Sequence, residues 1–290
     1  MPWAEKGFVT AEEQILLQEA MARPSISAVT ASAGKVKLDK SDTSIKTVSG
    51  DGFVAKFDME TGTIYSLAYG GKTIITDGNG PKLDALRAFT NNDNWFYSQW
   101  FEHGLHNLQH RATSSTVLER NDGTVVLAFT VESQAPNGAK IKGGTSTGKN
   151  SIEELTDRRF GENDFKFTTN QIWTVYPDGS VELQSSITSN RPSLVLPRLG
   201  YVMKVPQQYA DFTYYGRGPI DNYADRKSGQ FIEQHRNTVA GEFVNFPKPQ
   251  DMGNHEDVRW CALTDPDGEV LCLWLPTVCL YRLFNILHWI

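Results

Sequence analysis

The sequence predicts an all-β protein, a large antiparallel sandwich, and three observations support this. Short runs that alternate apolar and polar residues recur along most of the chain, with the period of a half-buried strand. Turn-forming pairs such as Asp178-Gly179 separate these runs and favour tight hairpins. Helical patterns are scarce beyond residue 43. Many closely spaced short strands with little helix are typical of sandwiches.

The first forty residues follow a different pattern. Thr10-Ala11-Glu12-Glu13 has the form of a capping box, and the residues after it are good helix formers, so local propensity predicts a helix over 11–20. The stretch from 21 to 42 is rich in Ser, Ala, Thr and Lys with few large apolar residues. This composition indicates a linker.

Strands and turns dominate from residue 43 onward. The alternation predicts a β-meander of three strands and two hairpins, over 53–57, 64–69 and 73–75, over 117–120 with 124–131, and over 165–176 with 180–188. Residues 135–164 are polar and glycine-rich, and we expect a long flexible surface excursion there. Within the β region only residues 100–109 have a helical pattern.

Composition limits the function classes. The chain has 290 residues and a net charge of −6, which argues against nucleic-acid binding because such proteins present a basic face. No run of 18 apolar residues occurs, so we expect no membrane span. The first residues lack the apolar core of a signal peptide, and the compartment, cytoplasmic or periplasmic, stays open.

Three histidines are the best metal candidates. His103, His106 and His110 lie three and four residues apart and would share one face of a helix. Gly104 weakens that helix, and Glu102 points elsewhere on it, so surface or packing histidines are the favoured interpretation. The three cysteines have no disulfide or zinc spacing. We predict no metal or cofactor within this chain.

Two polar segments are shaped by Gly and Pro and read as rigid loops. One runs from 214 to 226 and the other from 247 to 260. By their chemistry alone each could be structural or contact a ligand.

These segments carry a resemblance to the family 2 β-galactosidases. Tyr-Gly-Arg-Gly-Pro-x-Asp-Asn-Tyr-x-Asp-Arg at 215–226 resembles the family's Gly-Pro-x-Glu-Asn-Tyr-x-Asp-Arg. The segment 249–260 resembles Pro-Gln-Glu-x-Gly-Asn-x-x-Asp-Val-Arg-Trp. Asp221 and Asp251 replace the usual Glu in the two motifs. Residues 87–93 resemble Arg-Ala-Pro-Thr-Asp-Asn-Asp, with departures at Phe89 and Asn91.

The resemblance implies a fold and a division of the chain. The fold would be a β-supersandwich similar to galactose mutarotase, over residues 43–290. Residues 1–20 would end a preceding immunoglobulin-like domain, which conflicts with the helix predicted there from local propensity. Residues 21–42 would be the linker.

The resemblance also implies where the chemistry lies. The family's catalytic glutamates belong to a TIM barrel upstream, so we assign no catalytic residue to this chain and expect it to be inactive alone. The segment expected near the sugar holds Asn92, Asp93, Asn94 and Trp95. The residues expected to form the structural motif are Gly216, Arg217, Gly218, Pro219, Asn222, Tyr223, Asp225, Arg226, Gly253, Asn254, Asp257, Arg259 and Trp260. Full-length relatives would use Mg or Na in the barrel.

The implied partners are the catalytic domains, or large subunit, of a β-galactosidase and a galactoside sugar, in an oligomer when intact. The resemblance stops near residue 270. Residues 271–290 are almost wholly apolar and lack the family's Gly-rich segment with its Trp, so Trp289 is not given that role. This pattern suggests a truncated chain with an exposed sheet edge and poor solubility.

Two other functions stay open. A stand-alone carbohydrate-binding module or an aldose 1-epimerase-like enzyme could share this fold. An epimerase needs a positioned acid and base, and Glu233 and His235 fall on one face of a predicted strand. A purely structural domain would have no sugar affinity.

Overall fold

A computed structural model describes residues 5, 7–9, 11–17, 34–142, 151–248 and 250–282, and for 275–282 it describes the backbone alone. The helices and strands within these residues are β1 (Lys37–Asp39), β2 (Ile45–Gly50), β3 (Phe53–Asp58), β4 (Thr63–Tyr69), β5 (Lys72–Ile75), β6 (Lys82–Asp84), α1 (Tyr97–Glu102), β7 (Gln109–Glu119), β8 (Val125–Gln134), β9 (Asn137–Lys142), β10 (Ser151–Arg159), β11 (Phe167–Val175), β12 (Val181–Ser189), β13 (Gly200–Val202), β14 (Asp211–Gly218), β15 (Phe231–Thr238), β16 (Asn254–Thr264) and β17 (Val270–Arg282). Three 3₁₀ helices span Asn91–Trp95, Leu105–Asn107 and Ala240–Glu242.

The chain divides into two compact units. Residues 25–206 form one, called the sandwich unit below, and residues 1–24 with 207–290 form the other, called the terminal unit. The named strands pair antiparallel in both. The predicted all-β antiparallel class is therefore confirmed, while the likeness to galactose mutarotase stays a prediction.

Two sheets of the sandwich unit share a hydrophobic core. One sheet has the order β1-β2-β3-β4-β5 and the other β12-β11-β8-β7. Phe53, Ala55 and Phe57 alternate on β3 and are buried with Leu127 and Trp173 of the second sheet. The rings of Phe57 and Trp173 meet edge to face, with centroids 5.8 Å apart. Each fully buried large side chain contributes roughly 1.5–3 kcal/mol, so this alternation fixes which face of each strand turns inward.

The predicted meander and both hairpins are present. β3, β4 and β5 are neighbours in the first sheet, and β7 pairs with β8 and β11 with β12. The hairpin between β11 and β12 closes with the N–H of Tyr176 donating to the oxygen of Ser180 at 2.9 Å. Gly179 has φ +87° in this turn, a conformation that favours glycine.

Residues 135–164 are not a flexible excursion, and that expectation is wrong. β9 and β10 pair antiparallel from Lys142 with Ser151 to Asn137 with Arg159. Residues 143–150 lie outside the described residues. The charged cluster of this segment is ion-paired in part, with Lys142 Nζ 2.6 Å from Glu153 Oε1.

The helix predicted over 100–109 is shorter and starts earlier. α1 begins at Tyr97 and ends at Glu102, and β7 already begins at Gln109. Gly104 has φ +72° and ends the helical region in the left-handed conformation. Trp100 of α1 is buried in a second apolar cluster with Leu83 and Phe165.

Neither expectation for the N-terminal segment is met in its described part. Residues 11–17 form neither helix nor strand. Gln14 instead hydrogen-bonds the backbone of Ile232 on β15 in both directions, through Nε2 at 3.1 Å and Oε1 at 2.8 Å. Residues 1–4 and 18–33 lie outside the described residues. β1 falls inside the stretch predicted as linker and pairs with β2.

The terminal unit contains a four-stranded sheet with the order β15-β14-β16-β17. β17 includes residues that sequence reasoning set apart as an atypical tail, yet it pairs with β16 from Val270 to Arg282. β17 is an edge strand of this sheet as described, and Trp274 on it is 64% exposed. Trp289 lies outside the described residues. Among the described residues, no helix is long and apolar enough to cross a membrane.

Candidate functional site

An ion pair holds the segment that sequence reasoning placed near the sugar. Arg87 donates from Nη1 to Asp93 Oδ2 at 2.6 Å and from Nη2 to Asp93 Oδ1 at 2.9 Å. Such a two-pronged pair is strong and directional. Arg87 also donates from Nε to the oxygen of Pro197 at 3.1 Å. The 3₁₀ helix that carries Asp93 is therefore tied to the body of the sandwich unit.

The environment of Asp93 keeps its carboxylate charged. Burial favours the neutral acid, but hydrogen bonds from Arg87 and Thr90 outweigh burial, so the pKa of Asp93 lies below its ordinary value. The N–H of Thr90 donates to Asp93 Oδ2 at 2.6 Å, and its hydroxyl does so at 3.0 Å. Asp93 thus uses its oxygens to fix the segment.

The other residues of this segment face outward. Asn92 and Asn94 are exposed, and Trp95 is 82% exposed. Two amide side chains and one flat indole therefore stand on a rigidly held turn. Their predicted nearness to substrate stays a prediction, and Asp93 is better placed to position them than to contact a sugar itself.

Phe89, one of the departures from the family motif, has a packing role. Its ring lies 5.1 Å from that of Tyr97 and 5.6 Å from that of Phe101, between ring centroids. Trp100 packs beside it at 6.0 Å and donates from Nε1 to the oxygen of Val195 at 2.8 Å. The other departure, Asn91, is exposed.

The motif in the terminal unit begins with two tightly packed glycines. A Cβ at Gly216 would lie 2.8 Å from Cγ2 of Val258, and one at Gly218 would overlap the hydroxyl of Tyr214. The peptide bond to Pro219 is cis. Only glycine permits these close approaches between neighbouring strands.

Arg217 and Asp257 connect two strands of this unit. Arg217 donates from Nε to Asp257 Oδ2 at 2.7 Å and from Nη1 to the oxygen of Gln230 at 2.8 Å. Asp257 has φ +55°, which is uncommon for a residue with a side chain. Arg259 lies over the ring of Tyr215, with its Cζ 6.0 Å from the centroid.

Asn222 is the hub of the motif and is fully buried. Its Nδ2 donates to the oxygen of Arg217 at 2.9 Å and to Gln230 Oε1 at 3.2 Å. Its Oδ1 accepts from the N–H of Glu256 at 2.8 Å. Further hydrogen bonds join Asn222 to Asn254. A single amide thus satisfies backbone groups of two separate loops.

The two Asp-for-Glu replacements are both buried. Asp221 Oδ1 accepts an ion pair from Arg226 at 2.9 Å, and the guanidinium of Arg226 lies 5.1 Å from the ring of Tyr223. Asp251 is 2% exposed. Asp225 is exposed, and Gly253 has φ +69°. The ring centroid of Trp260 lies 6.3 Å from that of Trp274. The hydrogen bonds of the motif close on its own unit, as expected of a structural role.

Sequence reasoning missed a buried pair in the same unit. His255 Nε2 lies 2.5 Å from Glu242 Oε2, and the other carboxylate oxygen accepts from Asn237 Nδ2 at 2.6 Å. Tyr214 packs on the ring of His255 at 4.3 Å, and burial raises the pKa of this tyrosine, with Glu242 adding to the shift. His255 lies within the recognised motif, but Glu242 follows no motif.

The three histidines considered for a metal do not share a helix face. His103 follows α1, His106 lies in a 3₁₀ helix and His110 in β7. His106 Nε2 lies 2.7 Å from Glu154 Oε1, and His110 Nδ1 lies 2.9 Å from Ser133 Oγ. No group of three metal-binding side chains is found among the described residues. The helical premise of that site is wrong.

Glu233 and His235 lie on β15 as the epimerase alternative required. Glu233 is exposed, whereas the ring of His235 packs against Tyr214 at 5.0 Å. The two side chains therefore differ in their surroundings, and that alternative stays a hypothesis.

Comparison with known proteins extends the motif resemblance to the greater part of the chain. The sequence model of the family described as beta galactosidase small chain matches residues 49–289. The match continues past residue 270, where the motif resemblance ended.

Named relatives agree with this match. The chain is 26% identical over 279 residues to a β-galactosidase of Priestia megaterium (strain DSM 319 / IMG 1521), covering 95% of this chain and 24% of the relative. It is 26% identical over 273 residues to that of Halalkalibacterium halodurans, covering 92% and 23%. It is 24% identical over 274 residues to that of Lactobacillus delbrueckii subsp. bulgaricus, covering 92% and 23%. The chain spans about a quarter of the length of these relatives, and it belongs to the β-galactosidase small chain family.

Proposed function

We propose that this chain is the C-terminal portion of a β-galactosidase that hydrolyses terminal β-galactosides. In this proposal it completes the rim of the sugar pocket and supports assembly with the large chain, within an oligomer. The family match and the names of the relatives support the assignment. The catalytic glutamates, and any Mg²⁺ or Na⁺, belong to a TIM barrel outside this chain.

The observation that carries the proposal is the Arg87–Asp93 clamp. It fixes a turn whose outward side chains are Asn92, Asn94 and Trp95. Amides can exchange hydrogen bonds with sugar hydroxyls, and an indole face can pack on the C–H face of a pyranose. A pre-organised turn contributes positioning because it loses little further entropy when substrate binds.

The division of labour follows from the chemistry of retaining hydrolysis. That reaction needs two carboxyl groups about 5–5.5 Å apart, one as nucleophile and one as acid and base. The rim would hold the sugar against these groups and restrict water around it. Asp93 is kept charged by Arg87 and Thr90, so its proposed role is to position the rim and not to transfer a proton.

The test uses a complemented enzyme, which we define as this chain mixed with the Priestia megaterium β-galactosidase from which the matching region has been deleted. We expect Trp95→Ala to lower kcat/KM for a chromogenic β-galactoside about three- to tenfold, as lost aromatic stacking would. Leu118→Ala is the control, since Leu118 is also an exposed apolar side chain of the sandwich unit. Equal kcat/KM for both variants would overturn the rim assignment.

A further inference from the structure

A cleft elsewhere in the sandwich unit has no role in the proposed function. It lies between the end of α1 and the hairpin of β9 and β10, with a volume of about 210 Å³. Its walls include Glu102, His103, Lys140, Phe160, Asp164 and Arg191. Pockets for drug-sized ligands usually measure about 300–1,000 Å³, so this cleft suits a smaller molecule.

Close packing shapes the cleft. A Cβ at Gly138 would overlap the backbone oxygen of Glu102 and lie 3.1 Å from Cζ of Phe160. The N–H of Phe160 donates to the oxygen of Pro136 at 2.8 Å, and Asp164 Oδ2 accepts from the N–H of Gly161 at 2.7 Å. The wall around Phe160 is therefore held by its own backbone hydrogen bonds.

The cations of the cleft differ from their neighbours in pairing. Lys142, two residues from Lys140 on the same strand, pairs with Glu153 at 2.6 Å, and Arg158 lies 3.6 Å from Asp164. Lys140 and Arg191 have no side-chain hydrogen bond or ion pair with the residues that the structure describes. Two exposed cations from different segments thus face one small cleft with their charge unmatched.

The other polar groups complement these cations. The ring of His103 stacks on Phe165 with centroids 5.5 Å apart. Burial, followed by the charge of Arg191, lowers the pKa of His103, so the imidazole is neutral near pH 7 and offers one donor and one acceptor. The carboxylates of Glu102 and Asp164 can accept hydrogen bonds only.

We propose that this cleft binds the phosphate monoester of a small polyol, such as a sugar phosphate. The phosphate dianion would pair with Lys140 and Arg191, because such charge-assisted hydrogen bonds favour a group with several acceptor oxygens. Hydroxyl groups would donate to Glu102 and Asp164, and the apolar face of the ligand would pack on Phe160. A simple carboxylate would satisfy the two cations less well.

The test measures binding to the whole chain by titration calorimetry with galactose 6-phosphate, inorganic phosphate and galactose. We expect galactose 6-phosphate to bind most tightly, inorganic phosphate more weakly and galactose not at all. Arg191→Gln and Lys140→Gln should each weaken binding about tenfold or more. The matched controls are Arg111→Gln and Lys142→Gln, whose side chains pair with Glu132 and Glu153 outside the cleft.

The outcomes separate this site from the proposed rim. Unchanged affinity in both cleft variants, or equal affinity for galactose and galactose 6-phosphate, would overturn the proposal. An equal loss in the control variants would also overturn it, since it would show non-specific attraction of anions. Arg191→Gln should leave the activity of the complemented enzyme unchanged, so a failed complementation does not decide the fate of this site.

Discussion

Asn222 and Asn254 hydrogen-bond each other in both directions. The N–H of Asn222 donates to the backbone oxygen of Asn254 at 2.7 Å, and Nδ2 of Asn254 donates to the backbone oxygen of Asn222 at 2.6 Å. Asn254 begins β16, while Asn222 follows the Gly-Pro turn after β14. Both residues are buried, so these bonds replace hydration that the loops lose on folding.

Replacing Asn222 by Ala should destabilise the chain by about 2–4 kcal/mol, because it leaves several buried backbone groups without partners. The oxygen of Arg217 and the N–H of Glu256 are the first to lose theirs. Urea unfolding measures the change. Asn163→Ala, at an exposed asparagine, should stay within about 0.5 kcal/mol of wild type, and similar losses in both variants would contradict the hub role.

Two glycines in strands should respond to Ala in opposite directions. At Gly138 the added Cβ overlaps the backbone of Glu102, whereas at Gly200 it meets nothing within 4 Å. We expect Gly138→Ala to cost about 1–3 kcal/mol through overpacking and Gly200→Ala to be neutral or stabilising by up to about 1 kcal/mol. Thermal unfolding of the two variants tests this. A neutral Gly138→Ala would mean that α1 and β9 can move apart.

Asp93→Asn should loosen the turn that carries Trp95. The change keeps the shape of the side chain but removes the charge that Arg87 needs, and both side chains are largely buried. We expect a loss of about 2–4 kcal/mol, since an uncompensated charge is left behind, and faster proteolysis within residues 91–95. Asp225→Asn, at an exposed carboxylate, is the control. Unchanged proteolysis of Asp93→Asn would show that the clamp does not hold the turn.

His110 should make the stability of the chain depend on pH. Burial, with a smaller effect of Lys82, lowers its pKa from 6.5 to about 4. Between these pH values the unfolded chain binds the proton more readily, so stability falls as pH decreases, by at most about 1.4 kcal/mol per pH unit. Above pH 6.5 this effect is absent. His110→Gln should lose less stability than wild type between pH 6.5 and 5 in urea unfolding, and parallel curves would contradict the assignment.

Strands that bury one face could be predicted from the sequence. The alternating burial of β3 and β8 follows directly from alternating apolar residues. β10 could not be predicted this way, because most of its residues are exposed and polar, and its pairing with β9 depends on tertiary context. The helix predicted over 11–20 failed in its described part because Gln14 bonds the distant strand β15 instead of its own segment.

The candidate site was predicted in position but not in detail. Motif resemblance located Asn92, Asp93, Asn94 and Trp95, but it did not reveal that Asp93 is committed to Arg87, six residues earlier. The pair of His255 and Glu242 had no signal, since a contact 13 residues apart through a loop follows no period of helix or strand. Resemblance finds conserved-looking segments, whereas the partners of each side chain depend on the fold.

The central claim is that this chain supplies a missing part of a β-galactosidase. The most direct measurement is hydrolysis of a chromogenic β-galactoside by the chain, by the Priestia megaterium enzyme lacking the matching region, and by their mixture. The proposal predicts activity in the mixture alone, rising to a plateau near equal molar amounts. A folded chain that binds the large fragment and yet adds no activity, or a chain that hydrolyses the substrate by itself, would contradict it.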